Sequence, residues 1–215
     1  MKFLQSPLLF FILLLRVESN ELHAQKNEKK QQSSGKATPN LKSDLKTWEL
    51  VFSDEFDTTG EIDNSKWTYC PRSGTPWAKF LTSAPNYAFV NGRNLVLKMD
   101  NSIVNGDHVP YHSGGIQTST KFSFCYGKVE VRAKFKQGQG SWPAIWMMPE
   151  KPVYYGNWPN SGEIDIMEHV NNESVIHHTI HNGKVTSSDG GSSATHSSAF
   201  AGKGFNTYDI IWTPA

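Results

Sequence analysis

From Trp48 onward, apolar positions fall in short runs broken by turn residues, and one run alternates with a period of two. Lys128-Val129-Glu130-Val131-Arg132-Ala133-Lys134-Phe135 alternates for eight residues, as a strand with one wet and one dry face does. Short β-rich runs recur at Trp48–Phe52, Asn94–Met99, Gly127–Phe135, Ile164–Val170, Val175–His181 and Thr207–Trp212, bounded by Gly, Asn, Asp and Pro. Asn91-Gly92, Asn105-Gly106-Asp107 and Asn182-Gly183 supply hairpin turn chemistry. No long stretch of helical period separates the strands. The pattern predicts an all-β fold, an antiparallel β-sandwich or jelly roll.

The pattern changes before Trp48. Lys2 precedes an apolar run, Leu8–Leu15, of eight residues, where a membrane-spanning helix needs roughly 20. Such a run suits the core of a signal peptide, with Leu22-His23-Ala24 as a cleavage point. Met1–Ala24 is therefore expected to be a leader, and the protein to be secreted or periplasmic. Gln25–Thr47 lacks apolar periodicity and holds six lysines against Glu28 and Asp44; it reads as a disordered linker. The domain proper is expected over 48–215. A net charge of +1 gives no electrostatic reason for nucleic acid as a partner. No integral membrane span is expected, and a monomer is. Cys70 and Cys125 are the only cysteines, and a disulfide and two separate thiols are equally compatible with their spacing.

The chemistry concentrates in Ser161-Gly162-Glu163-Ile164-Asp165-Ile166-Met167-Glu168-His169-Val170. β-Branched residues and turn-bounded length favour a strand, with Glu163 and Asp165 on one face and Ile164 and Ile166 on the other. In perfect register Glu168 points away from Glu163; a β-bulge near Met167 brings it back. Three neighbouring acids raise one another's pKa, so that one keeps its proton near neutral pH. A retaining glycosidase needs an ionised and a protonated carboxyl roughly 5–5.5 Å apart. Upstream, Trp142 and Trp146 share a face of an extended chain, and Trp158 lies just ahead of Glu163. Three indoles beside three acids fit a sugar cleft better than three separate core residues.

These residues resemble glycoside hydrolase family 16. The resemblance rests on Glu163–Glu168 and on Gly138-Gln139-Gly140-Ser141-Trp142-Pro143-Ala144-Ile145-Trp146, supported by Leu50–Asp57, Ser123–Ala133 and Thr207–Pro214. It covers about residues 48–215 and implies a concanavalin A-like jelly roll that cleaves internal β-linkages with retention. By position, Glu163 matches the nucleophile, Asp165 its assisting acid and Glu168 the acid/base. Trp142, Trp146 and Trp158 match sugar-contacting tryptophans, and His181 a histidine near the scissile bond. The ExDxxE spacing is that of laminarinase-like branches, so a β-1,3- or β-1,3-1,4-glucan is the first substrate expected. Pro71–Tyr87 departs from the laminarinase pattern and leans toward the branch with gut O-glycanases, which leaves galactans, agar, carrageenan and mucin O-glycans as alternatives. The resemblance implies further strands beyond Pro214, so the domain is expected to be incomplete at its C-terminal end. It implies no required cofactor and no catalytic metal, and it allows a structural calcium ion without naming ligands.

Two readings of other classes compete. A non-catalytic lectin shares the jelly roll and the tryptophans but does not need three acids on one face. A zinc hydrolase is prompted by His169, His177, His178 and His181, yet no HExxH helix surrounds them.

Overall fold

A computed structural model describes residues 48–150, 156–184, 193–202 and 204–213, with the backbone of two short segments ahead of them. The strands are β1 (Leu9–Phe11), β2 (Val17–Ser19), β3 (Glu49–Phe52), β4 (Thr68–Tyr69) and β5 (Ala88–Val90). They continue as β6 (Leu95–Leu97), β7 (Met99–Asp100), β8 (His112–Ser113), β9 (Ile116–Gln117) and β10 (Gly127–Ala133). The last five are β11 (Ser141–Met147), β12 (Glu163–Glu168), β13 (Val175–His181), β14 (Ser193–Ala199) and β15 (Asn206–Trp212). Among the described residues there is no helix, so none is long and apolar enough to cross a membrane.

Two large sheets face each other. One runs β1-β11-β12-β13-β14 and the other β15-β10-β2-β3, with three two-stranded ribbons, β4-β9, β5-β6 and β7-β8. Pairings are antiparallel except β1 with β11. This is the all-β, antiparallel sandwich that the alternation predicts. β1 and β2 fall within the expected leader; the rest of Met1–Ala24 and the expected linker Gln25–Thr47 lie outside the described residues.

The core forms where the dry faces meet. Val129, Val131 and Ala133 of β10 are buried, while Lys128, Glu130 and Arg132 of the same strand are not. Ile145, Ile166, Met167 and Ile176 of the larger sheet join them in one cluster, with Phe56, Ile62 and Trp67. Trp67 is fully buried and donates its Nε1–H to the buried Asp54 Oδ2 at 2.8 Å. Asp54 Oδ1 also accepts from Phe56 N–H at 2.9 Å. The Ser53–Asp57 segment thus staples the domain's start to its core.

Several strands depart from the pattern. β11 buries Pro143, Ala144 and Ile145 in succession, so it shows no simple alternation. β14, Ser193-Ala194-Thr195-His196-Ser197-Ser198-Ala199, has no apolar alternation; pairing with β13 over seven positions defines it instead. Gly114 marks a close approach: a Cβ there would lie 1.9 Å from the Tyr87 carbonyl oxygen.

Cys70 and Cys125 are separate thiols. Cys70 is buried beside Ala78 and Leu81, and burial pushes its pKa up to about 12; Cys125 is exposed. A thiol reagent at pH 8 should therefore modify one cysteine of the native protein promptly, identified as Cys125 by peptide mass, and the second only in denaturant. Two fast thiols, or none before reduction, would contradict this arrangement.

Candidate active site

β12 is launched by a tight turn. Gly162 N–H donates to Pro159 O at 2.9 Å with Gly162 at φ 86°, a conformation that favours glycine. Glu163 then pairs with His181, Ile164 with Ile180 and Asp165 with Thr179. Between Asp165 and Glu168 the register shifts, so that Ile166 and Met167 together oppose one residue of β13 before Glu168 pairs with His177. Against β11 the same shift appears: Trp146 pairs with Asp165, Ile145 with Met167 and Ala144 with Glu168. This is a β-bulge at the place expected. Ile166 and Met167 are both buried in the core, and Glu168 returns to the face of Glu163 and Asp165.

Partners fix the carboxyl groups. Trp158 Nε1–H donates to Glu163 Oε2 at 2.5 Å, and Trp142 Nε1–H donates to Glu168 Oε1 at 2.7 Å. Asp165 is only 4% exposed; its carboxyl is hydrogen-bonded to Glu163, and His181 Nε2 stands 3.2 Å from its Oδ2. Burial first, then the charges of Glu168 and Glu163, push the Asp165 carboxyl up to about 9. Burial also raises Glu168, helped by the charge of Glu163 and opposed by the Trp142 hydrogen bond and by His177. Asp165 is thus the acid that keeps its proton at neutral pH.

All seven residues singled out from the sequence border this face. Trp158 is 55% exposed at its rim and packs against His181, ring centroids 5.4 Å apart. Trp146 lies opposite Asp165, with Trp77 edge-on to it at 5.3 Å. Trp77 has no periodic signal in the sequence; it belongs to the divergent stretch Pro71–Tyr87, which the fold brings against the cleft. His177 and His181, two of the four histidines that prompt a zinc reading, turn to the carboxyl groups of Glu173 and Asp165. His177 Nε2 meets Glu173 Oε2 at 2.6 Å, and its Nδ1 meets Ser197 Oγ at 3.2 Å. His169 is fully buried, against Phe135 and Phe200. Among the described residues no group of three or more His, Cys, Asp or Glu side chains is arranged to hold a metal ion.

Comparison with known proteins identifies relatives of this chain. The model of the family described as glycosyl hydrolases family 16 matches residues 75–215. A keratan-sulfate endo-1,4-beta-galactosidase of Sphingobacterium multivorum is 58% identical over 167 residues, 78% of this chain and 40% of that protein. A beta-glucanase of Rhodothermus marinus is 39% identical over 178 residues, 78% of this chain and 60% of that protein. The chain thus spans about two-fifths to three-fifths of these relatives' length. The X-ray structure of the laminarinase from Rhodothermus marinus superposes with a TM-score of 0.70 at 37% identity, covering 80% of this chain and 70% of that one.

The raised pKa of Asp165 carries a stability consequence. Between its ordinary value of 3.8 and about 9, the folded chain holds a proton that the unfolded chain has lost. Stability from this group therefore falls as pH rises through that window. Asp165→Asn keeps the shape and removes the titration. Thermal melts of the two proteins from pH 4 to pH 8 should show the variant gaining on the parent as pH rises. A constant difference would contradict a proton on Asp165.

Proposed function

The chain belongs to glycosyl hydrolase family 16, and on that premise we propose that it acts as a secreted, retaining endo-glycosidase on an internal β-linkage of a polysaccharide. What carries the reading is the placement of Glu163 and Glu168 on one face, each held by an indole donor, with the buried Asp165 between them.

The roles follow from the surroundings. Glu163 attacks the anomeric carbon, forming a glycosyl ester as the bond to the leaving oxygen breaks, and Glu168 gives its proton to that oxygen. Trp142 occupies Oε1 of Glu168, so the transferable proton rides on Oε2. Burial suits Glu168 to hold that proton before the step. In the second step Glu168 takes a proton from water, the water oxygen bonds to the anomeric carbon, and Glu163 leaves as carboxylate. Trp158 N–H and the protonated Asp165 both donate to that departing carboxylate, which spreads its charge. Trp142, Trp146 and Trp158 give apolar faces for sugar rings, with His181 beside Asp165.

The substrate weight moves relative to the first expectation. The sequence motif puts a β-1,3-glucan first, but the 58% identity to a keratan-sulfate endo-1,4-beta-galactosidase, against 39% to a beta-glucanase, favours an internal β-galactoside. A laminarin-type glucan is the second reading, supported by the ExDxxE spacing and by the superposition on a laminarinase. A lectin-like role has no use for the Asp165 proton or for two oriented glutamates. Export rests on the leader pattern in the first 24 residues.

Reducing-end release from keratan sulfate and laminarin tests both levels. Glu163→Gln should abolish release from either, and Glu168→Gln should lower it by roughly 10²–10⁴-fold. Faster hydrolysis of keratan sulfate supports the galactoside reading, and faster hydrolysis of laminarin reverses it. Undiminished release by Glu163→Gln would remove the enzyme assignment as drawn.

A further inference from the structure

The bulge that brings Glu168 into the cleft is braced from the opposite face of the sheet. Ile166 and Met167 together oppose His178 of β13. A bulge takes a residue out of the ladder, and its buried carbonyl then needs a donor. For Ile166 the donor is a side chain: His178 Nδ1 stands 2.7 Å from Ile166 O. A carbonyl only accepts, so Nδ1 carries the hydrogen. The other ring nitrogen, Nε2, lies 2.9 Å from Ser198 Oγ on β14. His196, directly across from His178, stacks its ring at 6.3 Å and 24°. The imidazole is held at both nitrogens and on one face, so its orientation is set. His178 lies on the face away from the carboxylates, since its neighbours His177 and Thr179 pair with Glu168 and Asp165.

We propose that His178 is a positioning residue for acid/base catalysis: by holding the Ile166 carbonyl it maintains the bulge, and so maintains Glu168 on the face of Glu163. This rests on the reading of Glu168 as acid/base. Side chains on a strand alternate, so a β12 that relaxes to plain register turns Glu168 toward the core side. The Trp142 hydrogen bond and the attraction of His177 would then hold it to the cleft without the backbone's support. His178 meets neither sugar nor carboxylate; it acts through the backbone of the strand that carries them.

The test separates proton transfer from the rest of catalysis. Activity is measured on keratan sulfate or laminarin, whichever the parent hydrolyses faster. It is measured in parallel on a 2,4-dinitrophenyl β-glycoside of the corresponding sugar with azide present. That leaving group needs no proton, and azide needs no base. His178→Leu should lose roughly 10–100-fold in kcat on the polysaccharide with little change in KM, and much less on the aryl glycoside with azide. His178→Asn, whose amide reaches Ile166 O from the Nδ1 position, should restore most of that loss. Equal losses on both substrates, a fully active His178→Leu, or a His178→Asn as slow as His178→Leu each overturns the inference.

Should His178→Leu fail to fold, Ser198→Ala is measured the same way. It removes only the Nε2 partner and should lower the polysaccharide-to-aryl activity ratio; an unchanged ratio overturns the inference. Glu168→Ala, rescued by azide, sets the scale. If Glu168→Ala keeps its polysaccharide activity, the acid/base reading falls and this inference with it. If Glu168→Ala is inactive and His178→Leu is not, the inference on His178 alone falls.

Discussion

Side chains on a strand alternate between faces, and Glu163 and Glu168 are separated by an odd number of positions. In a regular strand they would lie on opposite sides of the sheet, one in the cleft and one in the core. The bulge at Ile166 and Met167 sends two consecutive apolar side chains into the core and returns Glu168 to the cleft. Everything the cleft can do with two carboxyl groups depends on that irregularity. The core receives the two side chains because β10 presents Val129, Val131 and Ala133 opposite them. The sandwich therefore anchors the strand through the same residues that displace its register.

Once three acids share a face, electrostatics decides which of them can be charged. Asp165 is the most enclosed, and it takes the proton. A neutral Asp165 lowers the repulsion around Glu163 and offers it a hydrogen bond. Glu168, less enclosed and touched by the Trp142 indole, is raised as well, which suits a group that must give up and regain a proton. The tryptophans thus have two uses. In the proposed function their faces receive sugar rings, and the N–H groups of Trp142 and Trp158 orient the carboxyl groups. This cluster works against stability above the ordinary carboxylate range, and the buried staple of Asp54 and Trp67 shows where the fold is secured instead.

Much of this was legible in the sequence, for identifiable reasons. Alternation at Lys128–Phe135 and the turn-bounded run at Val175–His181 translate directly into β10 and β13. The acidic segment announced a bulge because Glu168, five positions from Glu163, points away from it in perfect register. β11 and β14 were not among the runs legible as strands: β11 buries Pro143, Ala144 and Ile145 in succession, and β14 has no apolar alternation. Trp77 was hidden for another reason. Its meeting with Trp146 joins residues far apart in the chain, and no local pattern encodes that. The roles of His177 and His178 were equally out of reach, since adjacent histidines on opposite faces have different partners. His177 turns to Glu173 and Ser197, while His178 turns to the Ile166 carbonyl.

The stereochemical course of hydrolysis tests the central claim most directly, because carboxyl groups brought together on one face as nucleophile and acid dictate retention. Proton NMR of the first products released from the preferred polysaccharide, read before mutarotation, reports it. The new reducing end should appear first as the β-anomer, with the α-anomer growing in only later. An α-anomer present from the earliest spectra would contradict the placement of Glu163 as nucleophile beside Glu168.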